Sequence, residues 1–154
     1  MSQSKKIKAY AVSNGYDISS HTNNEVVTWL ESDSAKYVSR YITELDIINE
    51  SFPGDSISAQ VMLDKLEAIS TDDNMGKLVK RVLKWMGPSP RDGNAGLDIG
   101  DINFRTLIKS LQPSVLTDNE VLAILGLTTP MPRHKDAGIL HPILDVYIDE
   151  ARLI

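Results

Sequence analysis

The chain has 154 residues, 42% hydrophobic and 24% charged, with a formal net charge of −5 and a pI near 5.1. These values suit one globular domain, with or without appendages, and exclude disorder along the whole length. There is no cysteine, which excludes a disulfide scaffold, a thiolate zinc site, an iron–sulfur cluster and a cysteine nucleophile. The acidic balance argues against binding nucleic acid or an anionic membrane over the whole surface.

Residues 1–20 read as an N-terminal extended segment. Ile7 to Val12 has strand-type residues, and Asn14-Gly15 behind it is a turn signal. A lone strand leaves backbone groups unpaired, so 7–12 is expected to find a partner in this chain or in another one. Lys5, Lys6 and Lys8 resemble the basic start of a secretory signal. The apolar stretch after them, Ala9 to Val12, is too short, and Ser13-Asn14-Gly15 interrupts it. No run approaches the apolar length of a membrane-spanning helix.

Residues 21–127 read as a helical domain. Thr22-Asn23-Asn24-Glu25 has capping-box spacing and opens a helix through Val26, Val27, Trp29 and Leu30. Ser32-Asp33-Ser34 offers a second start. From Ala35, the residues Val38, Tyr41, Ile42, Leu45 and Ile48 recur at helical spacing until Phe52-Pro53-Gly54 stops them. Asp55 or Ser56 caps a third helix with a stripe of Ile57, Val61, Met62, Leu66 and Ile69. A fourth runs from Asn74 to Met86, with Leu78, Val82, Trp85 and Met86 free to pack inward. Gly87 to Gly100 reads as a loop. Asp101 caps a fifth helix through Phe104, Leu107, Ile108 and Leu111. Thr117-Asp118-Asn119-Glu120 opens a short helix that ends at Gly126.

Residues 128–138, with Pro130 and Pro132, read as a linker. Residues 139–154 then form a tethered C-terminal helix, with Pro142 suited to its first turn and Ile143, Tyr147 and Ala151 along one face, which is expected to fold back on its own core or else to dock on a neighbouring subunit or a partner. The expected fold is all-α: a compact bundle of five to seven short helices, with the extended segment at one end and the tethered helix at the other.

Charge is segregated. Residues 1–12 carry +3, residues 13–76 carry −9, residues 77–91 carry +5, and residues 92–154 carry −4. Lys77, Lys80, Arg81 and Lys84 fall on one face of the fourth helix. That face reads either as a ridge for an anionic partner or as a solvated outer surface balanced by acidic neighbours. The low aromatic content argues against nucleic acid as that partner.

No motif carries chemistry. The loop Asp92-Gly93-Asn94-Ala95-Gly96-Leu97-Asp98 has oxygen groups at alternate positions. However, Leu97 stands where a calcium loop needs glycine, and Asn103 where it needs a bidentate glutamate, so turn formation explains it better. His21, His134 and His141 have no zinc-site spacing. Asp72-Asp73 and Asp149-Glu150 sit at or near helix ends, where capping and solvation account for them. There is no G-x-S-x-G elbow, Walker loop or G-x-G-x-x-G. No catalytic, cofactor-binding or metal-ligating residue is assigned, and the chain is expected not to be an enzyme.

The segment Leu97-Asp98-Ile99-Gly100-Asp101 to Leu111, with Val115-Leu116-Thr117-Asp118-Asn119-Glu120-Val121, resembles a pattern in small helical proteins of tailed bacteriophages. It covers about residues 96–127. The resemblance implies a virion-associated or accessory protein, in the virion or in the host cytoplasm. The expected function is a non-enzymatic protein-interaction or structural module. Its partner would be a protein, including a second copy engaged through residues 139–154 or 7–12. The alternative is an acidic inhibitor or regulator of host nucleic-acid-acting proteins.

Overall fold

The computed structural model describes residues 1–85 and 96–154. The described residues are mostly helical, with nine α-helices and four very short strands. They form two compact units. One is built from both ends of the chain, Met1–Lys36 and Pro130–Ile154, and the other is continuous, Tyr37–Thr129. This division cuts across the single helical domain expected over 21–127.

In the first unit, α1 spans Gln3–Ser13, where an extended segment is expected. Ile7–Val12 satisfies both a strand and a helix template, because six residues are too few to separate the two periods. Two features select the helix. Ser2 accepts the Lys5 amide as its N-cap, and Ser4, Ile7 and Ala11 share a buried face at helical spacing. After a 3₁₀ turn, Ile18–Ser20, α2 runs over Asn23–Glu31 from the expected Thr22/Glu25 capping box.

Residues 128–138 are not a plain linker. β4 (Pro130–Pro132) pairs with β1 (Asp33–Tyr37), and α8 covers Arg133–Asp136. The Arg133 amide donates to Ser32 O and the Ser34 hydroxyl to Met131 O. These long-range backbone partners have no local sequence signature. The last helix, α9, is Asp145–Arg152. Pro142 lies before it rather than in its first turn.

The core of this unit is Ile7, Ala11, Ile18, Val26, Leu30, Ile139, Ile143, Ile148 and Ala151. The C-terminal segment thus folds back on its own core, and α1 and α9, in extensive contact, supply one another's apolar cover.

The second unit opens with a departure from the expected helix at Ala35. Residues 38–42 are extended, with β2 at Tyr41–Ile42, and α3 begins only at Glu44. Thr43 and Asp46 form its capping box, with Asp46 in the place of the usual glutamate. β2 pairs antiparallel with β3 (Leu97–Asp98), in the register Tyr41↔Asp98 and Ile42↔Leu97. Two glycines permit this approach. A Cβ on Gly96, whose φ is +100°, would fall 1.9 Å from Ile42 O, and one on Gly100 would fall 2.4 Å from Val38 O.

Four more helices follow: α4 (Ser56–Glu67, capped by Asp55), α5 (Asn74–Trp85), α6 (Ile102–Ser110, capped by Asp101) and α7 (Asp118–Leu125, with the Thr117/Glu120 capping box and Gly126 at its C-cap). On α4 the buried face is Ala59, Met62, Leu63 and Leu66, whereas Ile57 and Val61 point to solvent. The expected stripe is thus rotated: Ala59 and Leu63 complete it in place of Ile57 and Val61. The core joins Ile42, Ile47, Met62, Val79, Ile99, Ile108, Leu116 and Ile124.

Candidate interaction surface

The cationic face of α5 forms as expected. Lys77, Arg81 and Lys84 are exposed and Lys80 is half-buried, while Val79 and Val82 pack into the core. Leu78 does not pack inward and is 46% exposed. Trp85's side chain and Met86 lie outside the described residues. Asp73 holds the start of the helix, its Oδ1 accepting the Gly76 amide at 2.8 Å. Among the described residues no carboxylate lies within ion-pair distance of any of the four cations.

Beside this face runs an open groove of about 360 Å³. Leu78 and Val82 of α5 form one wall. Leu97 and Asp98 of β3, with Asp101, Asn103, Phe104 and Leu107 of α6 and its cap, form the rest. The two carboxylates are already engaged. Asp98 accepts the Ser39 hydroxyl at 2.7 Å and the amides of Arg40 and Gly100, both at 2.9 Å. Asp101 accepts the amides of Asn103 and Phe104 at 2.9 and 3.1 Å. Asp98 thus serves the β2–β3 junction. The remainder of the loop read against a calcium site, Asp92 to Ala95, lies outside the described residues.

Buried polar contacts hold α6 and α7 in place. Arg105 is 4% exposed, and its Nη1 donates to Leu125 O at 3.0 Å and to Ile99 O at 3.3 Å. The turn that carries the groove's polar wall is thereby tied to the end of α7. The Tyr37 ring covers the guanidinium, 3.4 Å from Cζ to the ring centre, and the buried Nε has no hydrogen-bond partner among the described residues. Glu120, also buried, accepts Lys65 Nζ at 2.7 Å and the Thr117 amide at 2.9 Å. Burial pushes its carboxyl upward, but Lys65 and Thr117 outweigh that and hold it below its ordinary value.

In the first unit, the histidines serve packing and loop geometry. Tyr16 stacks between His21, at 4.5 Å, and Trp29, at 4.0 Å. His134 and His141 are 5.2 Å apart, and His141 Nε2 is 3.2 Å from a Glu31 oxygen. Asp149 accepts Asn23 Nδ2 at 3.1 Å and lies beside Arg152. Among the described residues no group of three or more His, Cys, Asp or Glu side chains converges as a metal site, and no helix is long and apolar enough to cross a membrane.

No family model, no curated protein and no solved structure matches the chain.

The ridge was legible in the sequence as charge at helical spacing. The groove was not. Phe104 and Leu107 read as a core face, and only the separation of α5 from α6 leaves part of that face open. The only sequence signal for Arg105 is an arginine set between Phe104 and Ile108 on a core-facing helix.

Proposed function

We propose that this chain is a non-enzymatic protein-interaction or structural module. It is of the phage-associated kind that residues 96–127 resemble, acting as a virion component or as an accessory protein in the host. The observation that carries the reading is the pairing, on one unit, of an open apolar groove with a cationic helix face that has no ion-pair partner among the described residues. Apolar surface next to charge that no carboxylate among the described residues neutralises is the surface chemistry of a partner site.

The alternative, an acidic regulator that mimics nucleic acid, draws less support. Mimicry needs an array of acids facing a partner, whereas Asp17, Glu25, Asp46, Asp55, Asp101 and Glu120 each accept a backbone amide at a helix start, which fixes their positions one by one.

The test is quantitative affinity capture from infected and uninfected host cells, with the wild-type chain beside a Leu78→Asp/Arg81→Glu variant. The expected result is a defined protein retained by the wild type and lost by the variant. Equal profiles for both chains would overturn the reading. Mass spectrometry of purified particles then separates a virion part from an accessory one.

A further inference from the structure

We infer that the α5–α6 groove takes an acidic amphipathic helix of a partner protein, its apolar side chains seated between Leu78 and Phe104 and its carboxylates turned toward Arg81 and Lys77. This inference rests on the interaction reading above and adds the chemistry of the partner.

The geometry sets the polarity of the two walls. Successive residues of a helix turn by about 100°. On α5, Val79 and Val82 mark the buried side, and Leu78 and Val82 line the groove. Arg81 then stands about 60° outward from Leu78 and Lys77 about 100° outward, so both lie beyond the α5 wall on its solvent side. The α5 helix carries four cations and no acid. The opposite wall has two carboxylates, Asp98 and Asp101, which backbone amides hold in place and which keep their negative charge. Charge beside the groove is therefore divided, positive beyond its α5 wall and negative on its α6 wall, and a complementary occupant is negative on the α5 side alone.

The floor sets the occupant's other face. Leu78, Val82, Leu97, Phe104 and Leu107 present apolar surface. Such a floor receives leucine-like anchors spaced along a helix. A phosphate backbone would gain nothing from it, which favours protein over nucleic acid.

The test uses the full chain and two labelled helical peptides of about 16 residues, with leucines at the one-face spacing of a groove-binding helix. One has glutamates flanking the leucines and the other has lysines in their place. Fluorescence polarisation is read for wild type, Leu78→Asp, Arg81→Glu and the control Lys135→Glu. Leu78 and Arg81 are both outside the core, and circular dichroism confirms that each variant folds.

The expected result is binding of the glutamate peptide, weakened about tenfold or more by Arg81→Glu and by Leu78→Asp and unchanged by Lys135→Glu, with a marked loss on raising salt. The inference is overturned by no binding of the glutamate peptide at millimolar protein, or by binding indifferent to Arg81→Glu. It is also overturned if the lysine peptide binds as well. A lysine peptide lost on Leu78→Asp would leave the interaction reading standing with the wrong charge. Insensitivity of both peptides to Leu78→Asp would remove the groove from both readings. Self-association in sedimentation that Arg81→Glu abolishes would assign the groove to a second copy. A single-stranded oligonucleotide bound through Arg81 but not Leu78 would assign the ridge to nucleic acid. Either of these last results overturns the inference.

Discussion

The guanidinium of Arg105 lies beneath the Tyr37 ring, with Cζ 3.4 Å from the ring centre, and its Nη1 bridges two carbonyls from separate parts of the chain, Ile99 and Leu125. A buried cation without a carboxylate is costly, and here a π-face and two carbonyl dipoles offset that cost. Removing either side exposes it. Tyr37→Ala is expected to lower stability by about 1–2 kcal/mol, measured by urea denaturation. Arg105→Met deletes the charge but orphans both carbonyls, and is expected to cost about 1–3 kcal/mol. An unchanged midpoint in both variants would show that the contact contributes nothing.

Glu120 couples the second unit to pH. Its folded carboxyl is held below the ordinary value of 4.5, so the fold favours the ionised form. That stabilisation is complete above the ordinary value and is lost as the pH falls through the lower, folded value. Glu120→Gln should therefore flatten part of the acid limb of a stability–pH curve below about pH 4.5 and leave the neutral region's slope unchanged. Lys65→Met leaves the carboxylate buried without its cation, and should move the acid transition upward in pH.

Tyr10 reports on the first unit. Burial, and then its hydrogen bond to Asp136 Oδ2 at 3.0 Å, push its phenol up to about 12. In an ultraviolet titration of the folded chain, one tyrosine is expected to ionise near that value. Asp136→Asn should bring it down toward the ordinary range. A Tyr10→Phe chain that retained the late step would assign the step elsewhere.

The C-terminal segment is a core element. Ile148 is fully buried, and Ile139, Ile143 and Ala151 pack in the same cluster as Ile7, Ala11 and Leu30. Ile148→Ala is expected to cost about 2–5 kcal/mol. Deleting residues 139–154 removes α9 and should melt α1 as well, visible as helical dichroism lost beyond that of α9 and lost amide protection in residues 3–13. Full protection after truncation would mean that α1 is held by other contacts.

Gly100 is set by sterics. Gly100→Ala places a Cβ 2.4 Å from Val38 O, and the β2–β3 pairing must open to admit it. Amide exchange at Ile99, whose amide donates to Arg40 O at 2.9 Å, should rise sharply.

The sequence by itself determined the local signals. Thr22, Asp55, Asp101 and Thr117 each open the helix their spacing announces, because a cap needs only residues within one turn of it. Charge at offsets 0, 3, 4 and 7 placed the α5 ridge for the same reason. Tertiary structure decided every question between near-equal local choices. Ile7–Val12 became helix because α9 offered its apolar face a partner. Residues 38–42 became extended because 97–99 and 128–129 supplied backbone partners more than fifty residues away. The apolar residues of α5 and α6 divided into core and groove wall only once the distance between those helices was set. Periodicity states which residues share a face, and the packing of other elements decides whether that face is covered.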